Sequence, residues 1–288
     1  MKTQTTSPII FSGKKKNLLE QIQKYYPSSC TNYIEPFCGG ASVFFDFVNA
    51  DNYILSDLNW RLIRLYEVIR DDLPEMLEYL TEFLGFSNKC NLFYALRQVE
   101  DIKPPINVEI SNELTEWANT LCDNKIALAS KDYFLNRMTK NGWRENKSGQ
   151  FNLAYYSARH EDYFYKPSLL LDASKKLQKA DLFSCCYTEA LKLAKPGDFV
   201  YLDPPYVPVS ATANFTAYTS NGFDLTQQIK LVEQVKFLNS RGVKFLLSNS
   251  IAAKDYYESF ANVEVIETRG YNSNNRIEIL ITNAKQKT

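Results

Sequence analysis

One stretch of the chain, residues 33–57, restricts the fold more than any other. The apolar pair Tyr33-Ile34 and the apolar run 53–55 flank a turn with two glycines, Gly39-Gly40, and a segment with the apolar spacing of a helix. A strand, a glycine turn, a helix and a second strand within about 30 residues form a βαβ unit. Because the strands of such a unit are parallel, this stretch predicts an α/β fold built on a parallel sheet.

The remainder of the chain shows two patterns. Apolar runs and helical segments predict further elements of the α/β part: a helix over 14–26, a strand at 199–202, a helix over 226–239, a strand at 244–247, and terminal strands, which can pair antiparallel, at 263–267 and 277–282. From 58 to about 181 the spacing is helical, with polar loops between the helices. We therefore expect an α/β domain formed by 1–60 and 180–288, with a mostly helical insertion over 61–179.

Composition excludes several kinds of function. The 288 residues are 45% hydrophobic and 23% charged, which is ordinary for a soluble globular protein, and no apolar run suits a membrane span. The six cysteines form no CxxC pair and the polar start lacks the apolar core of an export signal. We therefore expect reduced thiols, no metal site and a cytoplasmic location. The single histidine, His160, argues against His-based triads. Chemistry in this chain must rest on carboxylates, amides and aromatic rings.

An acid, two prolines and an aromatic ring follow the predicted strand 199–202. They form the tetrapeptide Asp203-Pro204-Pro205-Tyr206. Proline cannot continue a central strand, so the chain must leave the sheet here and place these groups at a carboxyl end, where open α/β sheets bind ligands. A carboxylate and a backbone carbonyl beside an exposed ring can hold a planar base that bears an amino group. Taken alone, the tetrapeptide also fits an ordinary turn.

The glycine turn is the second candidate site. Glu35 and Phe37 precede Gly39-Gly40, and a glycine lets the backbone approach a ligand more closely than any residue with a Cβ. Asp57 ends the second predicted strand, at the place where an acid accepts hydrogen bonds from ribose hydroxyls in nucleoside-binding folds. The alternative for Asp57 is an N-cap of the following helix.

Two basic regions indicate an anionic ligand. Lys14 opens a run of three lysines at the start of the first predicted helix, where positive charge opposes the helix dipole. A cofactor carboxylate or a DNA phosphate would explain that placement. Residues 131–179 contain ten Lys or Arg and five Asp or Glu, on a chain of zero net charge. A local excess of this kind suits a phosphate-facing surface, and a solvated surface is the alternative for both regions.

Taken in order, these motifs resemble the DNA adenine-N6 methyltransferases of the Dam type, the D12 class. The order is a glycine-lysine start, Glu-Pro-Phe-Cys-Gly-Gly, a helical insertion and Asp-Pro-Pro-Tyr, and the resemblance spans nearly the whole chain. Asp-Pro-Pro-Tyr alone also occurs in RNA guanine methyltransferases, so the ordered set carries the specificity. Further matching positions are Gly142, Arg144, Asn146, Gly149, Phe151, Asn152, Asn249 and 276–283.

The resemblance implies a fold, a reaction and partners. The fold is a Rossmann-like S-adenosylmethionine-dependent methyltransferase sheet with an inserted, mostly helical DNA-recognition domain. The reaction moves a methyl group from S-adenosylmethionine to the N6 amino group of an adenine flipped out of double-stranded DNA, in a restriction-modification or epigenetic marking role. A separately encoded restriction endonuclease is a further implied partner. An RNA base methyltransferase and a non-catalytic DNA-binding module are the alternatives.

Site residues follow from the motifs and the resemblance together. The expected catalytic residues are Asp203, Pro204, Pro205 and Tyr206. Those expected at the cofactor are Ile10, Lys14, Glu35, Phe37, Gly39, Asp57, Tyr187 and Asp203. Those expected at DNA are Arg137, Asn141, Arg144, Asn146 and Arg276, of which Arg276 could instead be a solubility charge on an edge strand. The long polar loop 207–222 is a further functional candidate.

Three departures from the family pattern limit what the resemblance implies. Ile10 stands where the family usually has an aromatic residue. Cys185-Cys186-Tyr187 replaces a common Gly-Asp-Phe and so lacks an acid, although the Tyr187 ring could still pack on the cofactor. The segment 151–156 lacks the proline and glycine that the family frequently has there. The target sequence is therefore left open.

Overall fold

A computed structural model describes residues 6–11, 15, 18–47, 50–207, 223–269 and 275–286, with only the backbone at 267–269 and 275–276. The chain divides into two compact units. A helical unit comprises Met1–Gly13 and Trp60–Gln178, and a sheet unit comprises Lys14–Asn59 and Lys179–Thr288.

A seven-stranded sheet, counted over the described residues, forms the sheet unit. Its strands lie in the order β3-β2-β1-β4-β5-β7-β6. The first five strands in this order are parallel to one another, whereas β7 is antiparallel to both β5 and β6. The strands are β1 (Cys30–Glu35), β2 (Ala50–Asp57), β3 (Ala180–Ser184), β4 (Phe199–Leu202), β5 (Lys244–Ser250), β6 (Asn262–Arg269) and β7 (Asn275–Thr282).

The α-helices of the described residues follow in chain order. They are α1 (Leu19–Gln23), α2 (Ser42–Asp46), α3 (Trp60–Asp71), α4 (Leu73–Gly85), α5 (Lys89–Gln98), α6 (Asn112–Asn119), α7 (Lys125–Arg137), α8 (Pro167–Leu177), α9 (Tyr187–Lys192), α10 (Leu225–Ser240) and α11 (Lys254–Tyr257). A 3₁₀ turn, Ile251–Ala253, precedes α11. No helix in the described ranges combines the length and the apolar character needed to cross a membrane.

The direction of strand succession reverses between β1 and β4. Strand β4 is fully buried and pairs in parallel with β1 on one side and with β5 on the other. Strands β2 and β3 extend the sheet beyond β1. Open α/β sheets bind ligands at such a reversal, outside the carboxyl ends of the strands. The fold therefore directs attention to the residues that follow β1, β2 and β4.

The predicted α/β class is confirmed, and several elements of the sheet unit were missed, including α11 and the 3₁₀ turn before it. Strand β3 and helix α9 were not predicted, because most β3 side chains are exposed or half-buried and give no apolar alternation. The first predicted helix, 14–26, is shorter in the structure, where α1 covers Leu19–Gln23. The predicted antiparallel pairing of the last two strands is present as β6 and β7.

The helical unit is built around α7. Helix α3 packs against α7 and α8, and α4 packs against α7, which buries almost every side chain of α7. Several buried charges are paired inside this unit: the Arg61 guanidinium bonds to Glu100 and Asp132, and Lys131 bonds to Glu100. These basic partners hold the pKa of the buried Asp132 carboxyl below its usual value, against the opposing effect of burial.

The first described residues lie with the helical unit. The Ile10 N–H donates to Asn136 Oδ1 (2.8 Å), and the Ile10 carbonyl accepts from Asn136 Nδ2 (2.7 Å) and from the Trp143 N–H (3.0 Å). The sequence-based division placed 1–60 with the sheet, because a local pattern contains no information on these distant partners. The structure differs there and sets the second boundary near Gln178.

Candidate active site

The end of β4 places Asp203 at the edge of the sheet. The four residues of β4 are buried, and β4 is followed by two prolines that have no N–H for a further ladder bond. The Asp203 side chain retains 24% exposure, so a ligand can reach its carboxylate. Asp203 therefore occupies the predicted position, beside the reversal of strand order.

A lysine and a tyrosine surround that carboxylate. Lys15 Nζ lies 2.8 Å from Asp203 Oδ1 and donates to the Tyr206 hydroxyl at 2.8 Å. The same ammonium lies 4.7 Å from the centroid of the Tyr206 ring. The Tyr206 hydroxyl donates to Glu278 Oε2 at 2.9 Å. Two of the predicted catalytic side chains, Asp203 and Tyr206, are thus linked through Lys15.

The electrostatics of the cluster are set by burial and by its own charges. Burial raises the pKa of Asp203, and the adjacent Lys15 ammonium counteracts part of that rise. Burial also raises the pKa of Tyr206, with the Asp203 and Glu278 carboxylates acting in the same direction. Tyr206 therefore stays a neutral phenol, while the protonation of Asp203 depends on Lys15.

Strand β5 and helix α10 fix the backbone that follows Asp203. The Pro205 carbonyl accepts from Gln228 Nε2 (2.8 Å), and the Val207 N–H donates to Asn249 Oδ1 (3.0 Å). The Ser250 hydroxyl donates to the Val207 carbonyl (2.6 Å). Because Asn249 and Gln228 are buried, these bonds hold the tetrapeptide in one conformation.

The glycine turn after β1 is held by two carboxylates. The buried Glu35 accepts from the Tyr33 hydroxyl (2.7 Å) and from the Phe44 N–H (3.1 Å) in the first turn of α2. Its carboxylate thus supplies a cap that the N-cap residue Ala41 lacks. Gly39 adopts a positive φ of 43°, which favours glycine. Its N–H donates to Asp57 Oδ2 (2.9 Å).

Asp57 joins the ends of β1 and β2. Besides the Gly39 bond, its Oδ1 accepts from the Asn59 N–H at 2.9 Å, just ahead of α3. Helix α3 begins at Trp60, three residues after Asp57. The half-buried carboxylate is oriented by these two bonds at the carboxyl end of β2.

Aromatic rings collect beside the glycine turn. The Phe37 and Tyr187 rings stack with centroids 4.9 Å apart, and Phe223 meets Phe37 edge-on at 5.8 Å. Tyr187 is only 5% exposed, and its buried hydroxyl has no hydrogen-bond partner among the described residues. Tyr187 thus lies beside Phe37 and has an unsatisfied polar atom that a ligand or water can meet.

In the helical unit, the predicted DNA residues differ in exposure. Arg137 is only 6% exposed, its guanidinium donates to the Pro8 and Tyr163 carbonyls (both 3.4 Å), and it lies 4.5 Å from the Tyr163 ring centroid. This burial argues against contact with DNA, and we leave Arg137 out of the proposed DNA-contacting set. Arg144 and Asn141, by contrast, are exposed.

Asn146 shapes a short hairpin, residues 144–152. Its Oδ1 accepts from the Ser148 and Gln150 N–H groups, at 2.9 and 3.0 Å, and its Nδ2 donates to Gln150 Oε1 at 2.7 Å. The Gly149 carbonyl accepts from Arg61 Nη1 at 3.0 Å, which ties the hairpin to the buried charges. In this structure Asn146 supports the hairpin that presents Arg144.

A cation–aromatic cluster follows the hairpin and was not predicted. Two guanidinium groups lie over the Tyr163 ring, those of Arg137 at 4.5 Å and Arg159 at 4.2 Å from its centroid. Arg159 and the exposed Lys140 also lie over the Tyr156 ring, at 5.7 and 5.9 Å. The interleaving of basic and aromatic residues over 156–166 was the available signal.

Other predictions lie partly or wholly outside the described residues. These are Lys14, the Arg276 side chain and most of the loop 207–222, residues 208–222. The backbone of Arg276 pairs with Thr268 in the β6–β7 ladder. Lys15 and Glu278 are the site residues that residue-by-residue reasoning missed. The lysine run 14–16 and the motif 276–283 contained them without singling them out.

No group of acidic, cysteine or histidine side chains suited to a metal ion occurs in the described part of the chain.

An acid–proline–proline–tyrosine turn at the reversal of a seven-stranded sheet of this order defines the class of Rossmann-like α/β methyltransferases.

Comparison with known proteins gives the family. The chain belongs to the D12 class N6 adenine-specific DNA methyltransferases, whose sequence model matches residues 11–271. It is therefore an enzyme that methylates adenine in DNA, with a methyl donor of the S-adenosylmethionine type.

Named relatives cover nearly the full chain. The type II methyltransferase M1.LlaDCHI of Lactococcus lactis subsp. cremoris is 31% identical over 95% of this chain and 93% of its own length. A DNA adenine methylase of Salmonella typhi is 33% identical over 92% and 88%. The type II methyltransferase M.MjaIII of Methanocaldococcus jannaschii is 29% identical over 91% of both chains.

Proposed function

We propose that this enzyme transfers the methyl group of S-adenosylmethionine to N6 of an adenine flipped out of double-stranded DNA, with Asp203 and the Pro204 carbonyl holding the amino group. The observation that carries this proposal is the accessible Asp203 carboxylate, fixed beside the Tyr206 ring at the end of a buried central strand. A base that remains stacked in a duplex could not reach such a group, so flipping is required.

The amino group must be made more nucleophilic. Its lone pair is delocalised into the adenine ring, and hydrogen bonds to Asp203 and to the Pro204 carbonyl draw the nitrogen towards tetrahedral geometry. The proton lost from N6 can pass to the Asp203 carboxylate, whose pKa is raised by burial. Fixed positioning of the reacting groups can contribute about 7–11 kcal/mol in favourable cases. The hydrogen bonds from Gln228 to the Pro205 carbonyl and from the Val207 N–H to Asn249 provide that rigidity.

Tyr206 offsets part of the cost of flipping. Extrusion of a base costs a few kcal/mol, and stacking on an aromatic ring returns roughly 1–3 kcal/mol. The Lys15 ammonium lies over the Tyr206 ring. The Tyr206 hydroxyl accepts a hydrogen bond from Lys15 and donates one to Glu278. We therefore propose Tyr206 as the stacking platform for the target base.

The residues after β1, β2 and β3 fit S-adenosylmethionine. Asp57 offers a carboxylate for the ribose hydroxyls and Gly39 allows close approach of the backbone. Phe37 and Tyr187 offer rings for the adenine moiety, and the unsatisfied Tyr187 hydroxyl marks a polar position there. When bound, this cofactor supplies an electrophilic methyl group. Glu35 supports the turn, while contacts of Ile10 and Lys14 with the cofactor remain predictions.

The exposed basic residues of the helical unit suit DNA. We propose the exposed Arg144 and Asn141 as DNA contacts, with the exposed Lys140 and the half-buried Arg159 on the phosphate backbone, because charged and amide side chains can meet phosphates and base edges. Asn146 contributes through the hairpin. Arg276 remains a prediction.

The relatives' names also bear on the biological role. Some relatives are named type II methyltransferases and others DNA adenine methylases, so we propose either a restriction-modification role, beside a separately encoded endonuclease, or an epigenetic marking role. We also propose a cytoplasmic location, where the enzyme would meet DNA.

Asp203→Ala tests the assignment. Purified wild type and variant are incubated with S-adenosylmethionine and unmethylated genomic DNA or RNA, and N6-methyladenine is measured by mass spectrometry. We expect activity on DNA to fall by about 100-fold or more, since bonds to a charged group are lost in the transition state. The exposed Asp255→Ala in the same unit is the control. Turnover near the wild-type rate in a folded Asp203→Ala protein would refute the assignment.

A further inference from the structure

Four side chains at the active site form one chain of hydrogen bonds. Lys15 Nζ contacts Asp203 Oδ1 at 2.8 Å and the Tyr206 hydroxyl at 2.8 Å, and that hydroxyl contacts Glu278 Oε2 at 2.9 Å. An ammonium only donates and an ionised carboxylate only accepts. The direction is therefore fixed: Lys15 donates to Asp203 and to Tyr206, and Tyr206 donates to Glu278.

Glu278 is held rigidly in the sheet. It lies in β7, where its backbone pairs with Ser250 of β5 and with Ile266 of β6. Ser250 in turn bonds the Val207 carbonyl, directly after the tetrapeptide. The partner of the Tyr206 hydroxyl is thus placed by the same strands that fix the tetrapeptide backbone.

We propose that Glu278 is a positioning residue for methyl transfer, acting through the Tyr206 hydroxyl, and that Lys15 couples this hydroxyl to Asp203. This inference rests on the proposed function, in which Tyr206 stacks on the target base and Asp203 holds its amino group. A ring bonded only through its Cβ can swing about its side-chain torsions. Hydrogen bonds to Glu278 and from Lys15 hold the hydroxyl from two sides, so the ring and the carboxylate keep one relative arrangement.

A double-mutant cycle tests the coupling. Single-turnover rates and S-adenosylmethionine affinity are measured for wild type, Glu278→Ala, Tyr206→Phe and the double variant. Loss of a bond to a charged group predicts a rate about 10- to 100-fold lower for Glu278→Ala, with cofactor affinity unchanged. Because Tyr206→Phe removes the group through which Glu278 acts, the double variant should be no slower than the slower single variant.

A conservative variant keeps the test possible if Glu278→Ala fails to fold. Glu278→Gln keeps an acceptor without the charge, and we expect a smaller loss of about 3- to 10-fold that disappears in the Tyr206→Phe background. If Glu278→Ala does not fold, this pair carries the test. Glu258→Gln, at an exposed position of the same unit, is the matched control and should keep the wild-type rate.

Two outcomes overturn the inference. One is an unchanged rate for both Glu278 variants, and the other is a Glu278 loss that persists undiminished without the Tyr206 hydroxyl. Asp203→Ala, measured in parallel, separates this failure from that of the proposed function. An inactive Asp203→Ala beside uncoupled Glu278 variants refutes the positioning role alone, whereas an active Asp203→Ala refutes the underlying assignment.

Discussion

At the scale of single residues, the site depends on the Asp203 carboxylate, whose pKa is subject to opposing effects. Burial raises the pKa of Asp203, and the negative Glu278 acts in the same direction, whereas Lys15 lowers it. Tyr206 and Tyr201 are further titratable groups that interact with this carboxylate, and both remain neutral because burial raises their pKa values. Lys15 is therefore the group that keeps Asp203 able to accept a hydrogen bond from an amino group.

Removal of the ammonium should change the pH dependence of catalysis. In Lys15→Met the pKa of Asp203 rises further, so Asp203 protonates at a higher pH. Because ionised Asp203 is the active form, the acidic limb of kcat against pH should move to higher pH. Rates measured from about pH 5 to pH 9 give this shift. Lys15→Arg keeps the charge and should keep the acidic limb in place; an unmoved limb in Lys15→Met would contradict the role of Lys15.

Local sequence signals predicted part of this site and not the rest. Asp203 was predicted because an apolar run and two prolines mark the end of a strand without any knowledge of the fold. Lys15 lies 191 residues from Tyr206 along the chain, and only the folded sheet brings them together. The burial of Arg137, which argues against its predicted DNA contact, escaped the sequence for the same reason: its packing against Pro8 and Tyr163 is a tertiary property that composition does not show.

At the scale of elements, short segments are defined by distant partners. Helix α2 has five residues and relies on Glu35 of β1 for its cap. Strand β3 is an edge strand whose pairing with β2, not its own pattern, defines it. The fully buried strand β4 and the long helix α10 were predicted from the sequence, because the spacing of their apolar side chains indicates which residues are buried.

The turn at Gly142 provides an element-scale prediction. Gly142 has a φ of +81°, and a Cβ there would lie 2.0 Å from the Ile10 carbonyl oxygen. Gly142→Ala must displace this segment, which also carries the bond from the Trp143 N–H to Ile10. We expect a loss of at least about 2 kcal/mol in unfolding free energy, from left-handed strain and overlap together.

Thermal and denaturant unfolding measure that loss. Gly85→Ala is the matched control, because a Cβ at the end of α4 meets nothing within 4 Å and alanine favours a helix. Its stability should equal or exceed that of the wild type. Equal stabilities for Gly142→Ala and Gly85→Ala would show that the chain accommodates the Cβ without strain.

At the scale of the whole molecule, charge is balanced in total and uneven in place. The chain has 33 basic and 33 acidic residues, so its attraction to DNA cannot come from net charge. Part of the local excess over 131–179 is internal, since Lys131 is buried and paired with Glu100. The basic groups left for DNA are few, and each should have a measurable effect on binding.

Arg144 should read a base rather than a phosphate alone. It is exposed on a hairpin fixed by Asn146 and Arg61, and a rigidly placed guanidinium can bond a guanine edge at two points. We expect Arg144→Ala to cost about 1–3 kcal/mol at one base position, measured as binding to duplexes with single-base substitutions. Arg144→Lys keeps the positive charge but not the two-point geometry of the guanidinium, so it should lose the same base preference with a smaller loss of overall affinity.

Lys147 is exposed on the same hairpin and provides the control. Lys147→Ala should weaken binding to all DNA sequences alike and reduce the slope of log affinity against log salt concentration by about one. A uniform loss for Arg144→Ala as well would place base recognition elsewhere in the chain, with the loop 207–222 as the next segment to test.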